Sequence, residues 1–384
     1  MFKLLKILIV SSVYFILISG IAEATKKKKW YDSVNVTGGI TAALQGTSGN
    51  DDTTAGTEDT TDFSYSLDLN LNSEIARGHK FFVHIETGEG NGINDNFTTN
   101  INPNYDPFNI HNPDTGHQDI TISKLFYEGT FIDEMLIVDF GKMDIHSFTD
   151  QNNFAGDETT QFMAGIFVRQ AGTLFAELDN YYGPGIRFLF SPHEWSEYTY
   201  IVANSSFDSI SKNKYHAVQM NFKPNIMDLK GNYRFYFISD GRDYTKIDDS
   251  SSDSNSNFGW GISFDQFVTE NIGLFLRYGS QKGSLQPLLS ANPVTSSLSG
   301  GMLVNGNMWK RSDDFAGLGL GTVKKNEKIA AAYSGNQKVV ELFYHFQLSD
   351  NLSITPDIQF HKNLPRTDIR DIIIYGVRLQ FGFF

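Results

Sequence analysis

Apolar and polar residues alternate with period two along most of this chain. Phe63, Tyr65, Leu67, Leu69 and Leu71 are interleaved with Ser64, Ser66, Asp68, Asn70 and Asn72. Phe81, Val83 and Ile85 oppose Phe82, His84 and Glu86, and Val340, Leu342, Tyr344, Phe346 and Leu348 oppose Glu341, Phe343, His345 and Gln347. Successive side chains of a strand point to opposite faces, so the pattern predicts strands with one oily and one wet face. Candidate strands cover 34–45, 62–75, 79–88, 119–130, 134–143, 182–190, 197–205, 214–223, 229–240, 257–267, 271–280, 297–309, 313–322, 337–348, 352–361 and 370–384. Seven short turns alternate with eight longer loops between them. Segment 297–309 has the weakest pattern and is included because two long connectors would otherwise merge. Short turns at one end and long loops at the other are the pattern of an outer-membrane barrel, whose strands need only about 9–11 residues to cross. The fold class predicted is all-β, a transmembrane antiparallel up-and-down β-barrel of sixteen strands. A sandwich rarely alternates connector lengths so regularly, and no blade-length repeat marks a propeller.

Composition sharpens this picture. The chain has 384 residues, 40% hydrophobic and 14% aromatic, with 34 glycines. Its mean hydropathy of −0.28 excludes a helical membrane bundle. A net charge of −13 argues against a nucleic-acid partner, and zero cysteines exclude disulfides, thiolate metal sites and cysteine nucleophiles. Lys3 and Lys6, the apolar run from Ile7 to Ile18 and the small residues Ala22 and Ala24 predict a Sec-type signal peptide over 1–24, cleaved near Ala24. Residues 25–33, with Lys26 to Lys29, read as a periplasmic tail, and 34–384 as the barrel. A closing aromatic pair, Phe383 and Phe384, fits recognition by the barrel-insertion machinery.

In lipid the oily face looks outward and the wet face lines the bore. Parity then names Asp68, Glu74, His84, Glu86, Lys124, Glu128, Arg187, Arg234, Asp265, Arg277, Glu341, His345, Asp357, Gln359, Arg378 and Gln380 as inward. The longest connector, 144–181, is the third long loop. It carries Phe154, Asp157, Glu158, Gln161 and Phe162, too many aromatics for a purely solvated segment. It is expected to fold inward as a constriction loop. By contrast, 46–61 and 241–256 look like solvated external loops, and Asp248, Asp249 and Asp253 lack EF-hand spacing. No G-x-S-x-G elbow and no H-E-x-x-H run is present, so no enzyme is expected. No cofactor and no metal are expected either. His84, His345 and His361 read as hydrogen-bonding lumen residues.

Three stretches resemble the OprB-type carbohydrate-selective porin family. The run Phe82 to Glu86 with its Gly-rich bend is similar to an early family strand. The run Gly141 to Asp144, followed by Phe154 to Phe162, resembles the fifth strand and inward loop. The run Val340 to Gln359, followed by Tyr375 to Phe381, is similar to the closing strands. Where the family often has Asn-Pro before glycines, this chain reads Asn363, Leu364, Pro365, Arg366. The resemblance implies a sixteen-stranded porin that lets glucose and related sugars diffuse through a bore lined by arginines and carboxylates. Carried onto this sequence, it points to Glu86, Glu341, Asp357 and Arg378, and more loosely to Arg187 and Arg234; parity adds Glu128. Implied partners are monosaccharides or small oligosaccharides, outer-membrane lipid and lipopolysaccharide, and two further copies if the porin is a homotrimer. A general or anion-preferring porin is the alternative.

Overall fold

A strand in lipid must satisfy every backbone N–H and C=O within the protein, and only closure of the sheet leaves no open edge. In the computed structural model the chain meets that demand with a single antiparallel sheet that closes on itself. The structure describes residues 33–50, 58–96, 99–105, 120–174, 182–204, 214–248, 253–254, 256–288, 294–329, 336–364 and 371–383. The segment read as a signal peptide, the expected tail up to residue 32, Pro365, Arg366 and Phe384 lie outside them.

Sixteen strands form the wall: β1 (Val34–Ser48), β2 (Thr61–Ala76), β3 (His79–Glu89), β4 (Thr121–Phe131), β5 (Leu136–Asp144), β6 (Tyr182–His193), β7 (Ser196–Asn204), β8 (Lys214–Phe222), β9 (Leu229–Asp240), β10 (Asn257–Phe267), β11 (Ile272–Gln281), β12 (Val294–Asn305), β13 (Phe315–Lys325), β14 (Gln337–Ser349), β15 (Leu352–Lys362) and β16 (Asp371–Phe383). Each pairs with its sequence neighbours, and β1 closes the cylinder on β16 in a register running from Gly38 opposite Phe383 to Ser48 opposite Ile373. A two-residue pair at Asn225–Ile226 extends the β8–β9 turn. Another, between Tyr244–Thr245 and Asp253–Ser254, belongs to an external loop.

The predicted strand 297–309 is displaced. The strand runs Val294–Asn305, and Gly306–Trp309 forms a 3-10 turn ending at Lys310 in the left-handed region. Gly306 donates to the Asp314 carbonyl, and a Cβ there would come within 1.9 Å of the Arg311 oxygen, so only glycine fits. Asn305, Gly306 and Asn307 are a turn signal that parity alone reads through.

The faces are inverted relative to a soluble protein. Leu276, Leu320, Leu342 and Leu379 are exposed on the outside, while Arg277 and Arg378 are among the largest fully buried side chains. Exposed Phe131, Phe190, Trp195 and Trp309 mark the short-turn end, and Phe63, Phe258 and Tyr375 the long-loop end. These two aromatic rims bracket an aliphatic belt, as interfacial anchoring requires.

Leu320→Arg, at the middle of the belt, is expected to destabilise the folded barrel by about 2–4 kcal/mol, whereas Asn70→Arg on the lumen face costs little. Denaturant titration of the protein folded into lipid vesicles measures both, and equal losses would refute the assignment of Leu320 to the lipid and Asn70 to the bore.

Candidate functional site

The site begins where β5 stops. Asp144 ends the strand and its Oδ1 accepts from the backbone N–H groups of His146 (2.9 Å) and Ser147 (3.2 Å). This Asx-type turn steers the chain off the sheet. A segment leaving the ladder must find other partners for its peptide groups, and the inward faces of the distant strands provide them. Glu341 on β14 accepts from the N–H groups of Met163 (2.6 Å) and Ala164 (3.0 Å). Arg378 on β16 donates to the carbonyls of Glu158 (2.7 Å) and Gln161 (2.8 Å). Arg277 on β11 donates to the carbonyls of Phe167 and Asp150. Ser299 on β12 donates to the Ile166 carbonyl at 3.2 Å.

Apolar packing complements these bonds. Phe162 meets Phe343 edge-on at 4.8 Å and Phe275 at 5.5 Å, and Phe154 meets Phe267 at 4.8 Å. Space for the rings comes from missing side chains on the wall. A Cβ on Gly319 would lie 2.8 Å from Phe162 and Phe167, and one on Gly273 would lie 2.3 Å from Phe154. The start and end of the segment pack on β7 to β9, where Ile145 and Leu174 join Ile201, Tyr215, Tyr236 and Ile238.

A second insertion, absent from the sequence-based reading, joins the first. In the connector after β3, Pro103 presents its carbonyl to Gln45 (3.2 Å) and Gln359 (2.8 Å), and Asn104 donates to Ser64 (2.8 Å). Tyr105 N–H bonds the Met163 carbonyl at 2.9 Å, and Gly165 N–H bonds the Asn102 carbonyl at 2.8 Å. Ile101, 2% exposed, completes the same apolar cluster as Phe162.

With one side of the bore occupied by these segments, the inward side chains of β2 to β6 form the opposing wall. Lys124 on β4 lies 4.0 Å from Asp144 and Arg169 of the long loop 3.8 Å from the same carboxylate. The Lys124 ammonium stands 6.0 Å from the Tyr182 ring centre. Glu86, Asp144, Glu158 and Tyr105 all lie within electrostatic range of the Tyr182 hydroxyl. Along the wall toward the short turns, Phe82 and Phe126 stack at 4.9 Å and 15°. Phe148 stands edge-on to Phe126 at 6.4 Å, with the Arg187 guanidinium 4.0 Å over its ring. Arg187 is paired with Asp139, and nearer the turns Lys80 faces Glu128 at 3.5 Å.

On the loop, outside the strands, charge states follow from crowding. Burial, reinforced by neighbouring Asp157, pushes the Glu158 carboxyl up to about 7 although it keeps partial contact with lumen water. Burial drives the His146 imidazole down to about 3 against the pull of Asp144, so it is neutral. A cleft of about 460 Å³ lies between the loop and the wall, with Asp150, Asp157, Arg169, Arg234 and Arg277 among its lining.

The residues named from sequence therefore fall into separate groups. Glu341, Arg378, Phe154 and Phe162 hold the loop. Gln161 braces it from within, accepting from Gly156 N–H at 2.9 Å, and Asp157 accepts from Thr159 N–H at 2.9 Å. Asp357 sits beside Glu341 and accepts from Gln359 at 3.0 Å. Arg234 pairs with Asp265. Glu86, Glu128 and Arg187 stand on β3, β4 and β6, whereas Glu158 belongs to the inserted loop and its carbonyl is bonded by Arg378. Sequence reasoning missed Asp144, Arg169, Tyr105 and Tyr182, which lie on or beside irregular segments where periodicity gives no direction. It also missed the Asp150–Arg277 contact at 3.4 Å.

A model of the OprB carbohydrate-selective porin family matches residues 52–383. The curated relatives include Porin AaxA of Chlamydia abortus, 22% identical over 280 residues, which are 68% of this chain and 57% of that protein. Porin AaxA of Chlamydia caviae is 23% identical over 279 residues, 68% of this chain and 56% of that protein. The chain thus spans less than two thirds of the length of these relatives. Among solved structures, Pseudomonas putida OprB at high pH superposes with a TM-score of 0.78 at 15% identity, covering 91% of this chain and 94% of that one. A mutant of the Rh. blastica porin gives a TM-score of 0.52 at 11% identity over 91% and 100%. At these identities the likeness to solved structures is one of fold. The family match, by contrast, extends over nearly the whole barrel: the chain belongs to the OprB family of carbohydrate-selective porins and is a porin of the outer membrane of a Gram-negative-type bacterium.

Proposed function

We propose that this porin passes glucose and related small sugars by passive diffusion, through the gap between the inserted loops and the β2–β6 wall. The observation that carries this reading is the succession of surfaces along that wall. The cluster of Lys124, Glu86, Asp144, Arg169 and Glu158 is followed by the stacked Phe82 and Phe126, with Arg187 and Asp139 beside them. Sugar hydroxyls both donate and accept, so a ring of cations and carboxylates can replace bound water one bond at a time. Aromatic faces then receive the C–H faces of the pyranose. Each exchange is worth about 0.5–1.5 kcal/mol, shallow enough for release on the far side.

A general or anion-preferring pore is less favoured by the charge pairing. Arg187, Arg234 and Arg277 are matched to Asp139, Asp265 and Asp150, and Arg378 lies within electrostatic range of Asp357. Little unbalanced positive potential remains to attract anions.

In planar bilayers, glucose is expected to lower the single-channel current, and a larger oligosaccharide at equal concentration to lower it less. Phe82→Ala removes a stacking face worth about 1 kcal/mol and weakens glucose block about fivefold. A current insensitive to glucose would leave a porin without sugar preference. Phe162→Ala empties a fully buried ring site, a loss of about 3–5 kcal/mol. The loop should loosen and the conductance rise, and unchanged conductance and block would remove the loop from the constriction. Glu158 is neutral below about 7 and negative above it. Cation preference, read from reversal potentials, should therefore grow as pH rises through that value, and Glu158→Gln should flatten the profile.

A further inference from the structure

One polar cluster on the open wall takes no part in holding the loop. Asp68 on β2 and Glu86 on β3 are direct cross-strand partners, and His84 lies two residues before Glu86, so all three side chains project into the bore. One ligand atom from each lies within 4.8 Å of the others. His84 Nε2 is 3.0 Å from Asp68 Oδ1, and Nδ1 is 3.9 Å from Glu86 Oε2. The side chains of Asp68, His84 and Glu86 are 27%, 11% and 9% exposed, so water in the bore reaches them through a narrow opening.

The strand is locally irregular at this point. The β3–β4 register slips between His84 and Ile85, leaving Ser123 as an extra residue on β4. This bulge turns Ser123 inward, where its Oγ sits 2.6 Å from His84 Nδ1 and 3.4 Å from the His84 carbonyl. The hydroxyl has a single proton. When that proton goes to the carbonyl, Nδ1–H donates to Oγ and Nε2 presents its lone pair toward Asp68. One imidazole nitrogen and two carboxylate oxygens then lie close enough together to share one ion.

We propose that Asp68, His84 and Glu86 bind a divalent transition cation of the Zn²⁺ type on the channel wall, with Ser123 as the positioning residue for the imidazole. One imidazole with two carboxylates suits such a cation, whereas Ca²⁺ and Mg²⁺ favour all-oxygen sets. Ligand bonds of about 2.0–2.2 Å are met by small rotations from the present separations. Three protein ligands leave a fourth position for water from the bore, and a hydrogen bond on the other ring nitrogen is the usual means of fixing a ligating histidine. Two carboxylates are balanced in full by a divalent ion and only by half by an imidazolium. The bound ion adds positive charge beside Glu86, next to the gap described above.

Binding and transport are measured separately. The full folded chain in detergent is titrated with Zn²⁺ by calorimetry, and with Co²⁺ by visible absorption. Saturable binding of one ion per chain is expected, abolished in His84→Gln and Asp68→Asn. Ser123→Ala should weaken it about tenfold to a hundredfold while leaving the stoichiometry at one. Circular dichroism and resistance to detergent unfolding verify that each variant is folded. In bilayers, Zn²⁺ should lower the cation current of the parent protein and not that of His84→Gln. Absence of one-site binding, or binding unchanged in both folded ligand variants, overturns the proposal whatever the sugar measurements show. In that case a proton alone joins His84 to Asp68.

Discussion

The inserted loop depends on side chains of the wall that serve as partners for its peptide groups. A chain that leaves a sheet abandons its hydrogen-bond ladder, and inside a narrow bore water replaces that ladder only in part. Glu341 receives two consecutive N–H groups, and Arg378 and Arg277 each deliver a fork of donors to carbonyls. Charge-assisted bonds of this kind are the strong ones, and a planar guanidinium spans two acceptors with little loss of freedom. The bore keeps its shape because the hydrogen-bonding capacity of side chains on one element is taken up by peptide groups of another, while their charges are balanced by other side chains such as Asp150 beside Arg277. Its long-range charge pattern follows from what they leave over.

That division explains how far the sequence is readable. Parity identifies which face of a strand a residue occupies, and it puts Glu341, Arg378 and Arg187 on the polar faces of their strands. It carries no information about what stands opposite. Arg378 and Arg187 look alike in the sequence, yet one holds a loop backbone and the other stacks on Phe148 and pairs with Asp139. Periodicity also ends where the sheet ends. Arg169, Tyr105 and Pro103 sit in irregular segments whose conformation is set by tertiary contacts, so their arrival in the bore has no local signature. The displaced strand at Val294–Asn305 has a related cause: an Asn-Gly-Asn turn happens to continue the alternation.

Glycine in the wall is legible only after the structure is known. The run Gly317, Leu318, Gly319, Leu320, Gly321 keeps strict alternation with nothing on its inner face. Read alone, it is a weak strand, since glycine there has no side chain to pack. Against the loop it becomes a recess: Gly319 admits Phe162 and Phe167, and Gly321 admits Ile166. The bulge at Ser123 similarly turns what looks like a broken ladder into the hydrogen bond that orients His84.

The recess makes the cylinder mechanically lopsided. Strands β10 to β14 are backed by a dry aromatic cluster, so that arc behaves as a two-layered slab resembling the core of a water-soluble domain. Strands β3 to β6 are backed instead by side-chain pairs such as Lys80–Glu128 and Arg187–Asp139 and by the lone ring of Phe148. Thermal breathing should therefore concentrate in the thin arc, and the aperture should widen by outward flexing of that arc rather than by retreat of the loop.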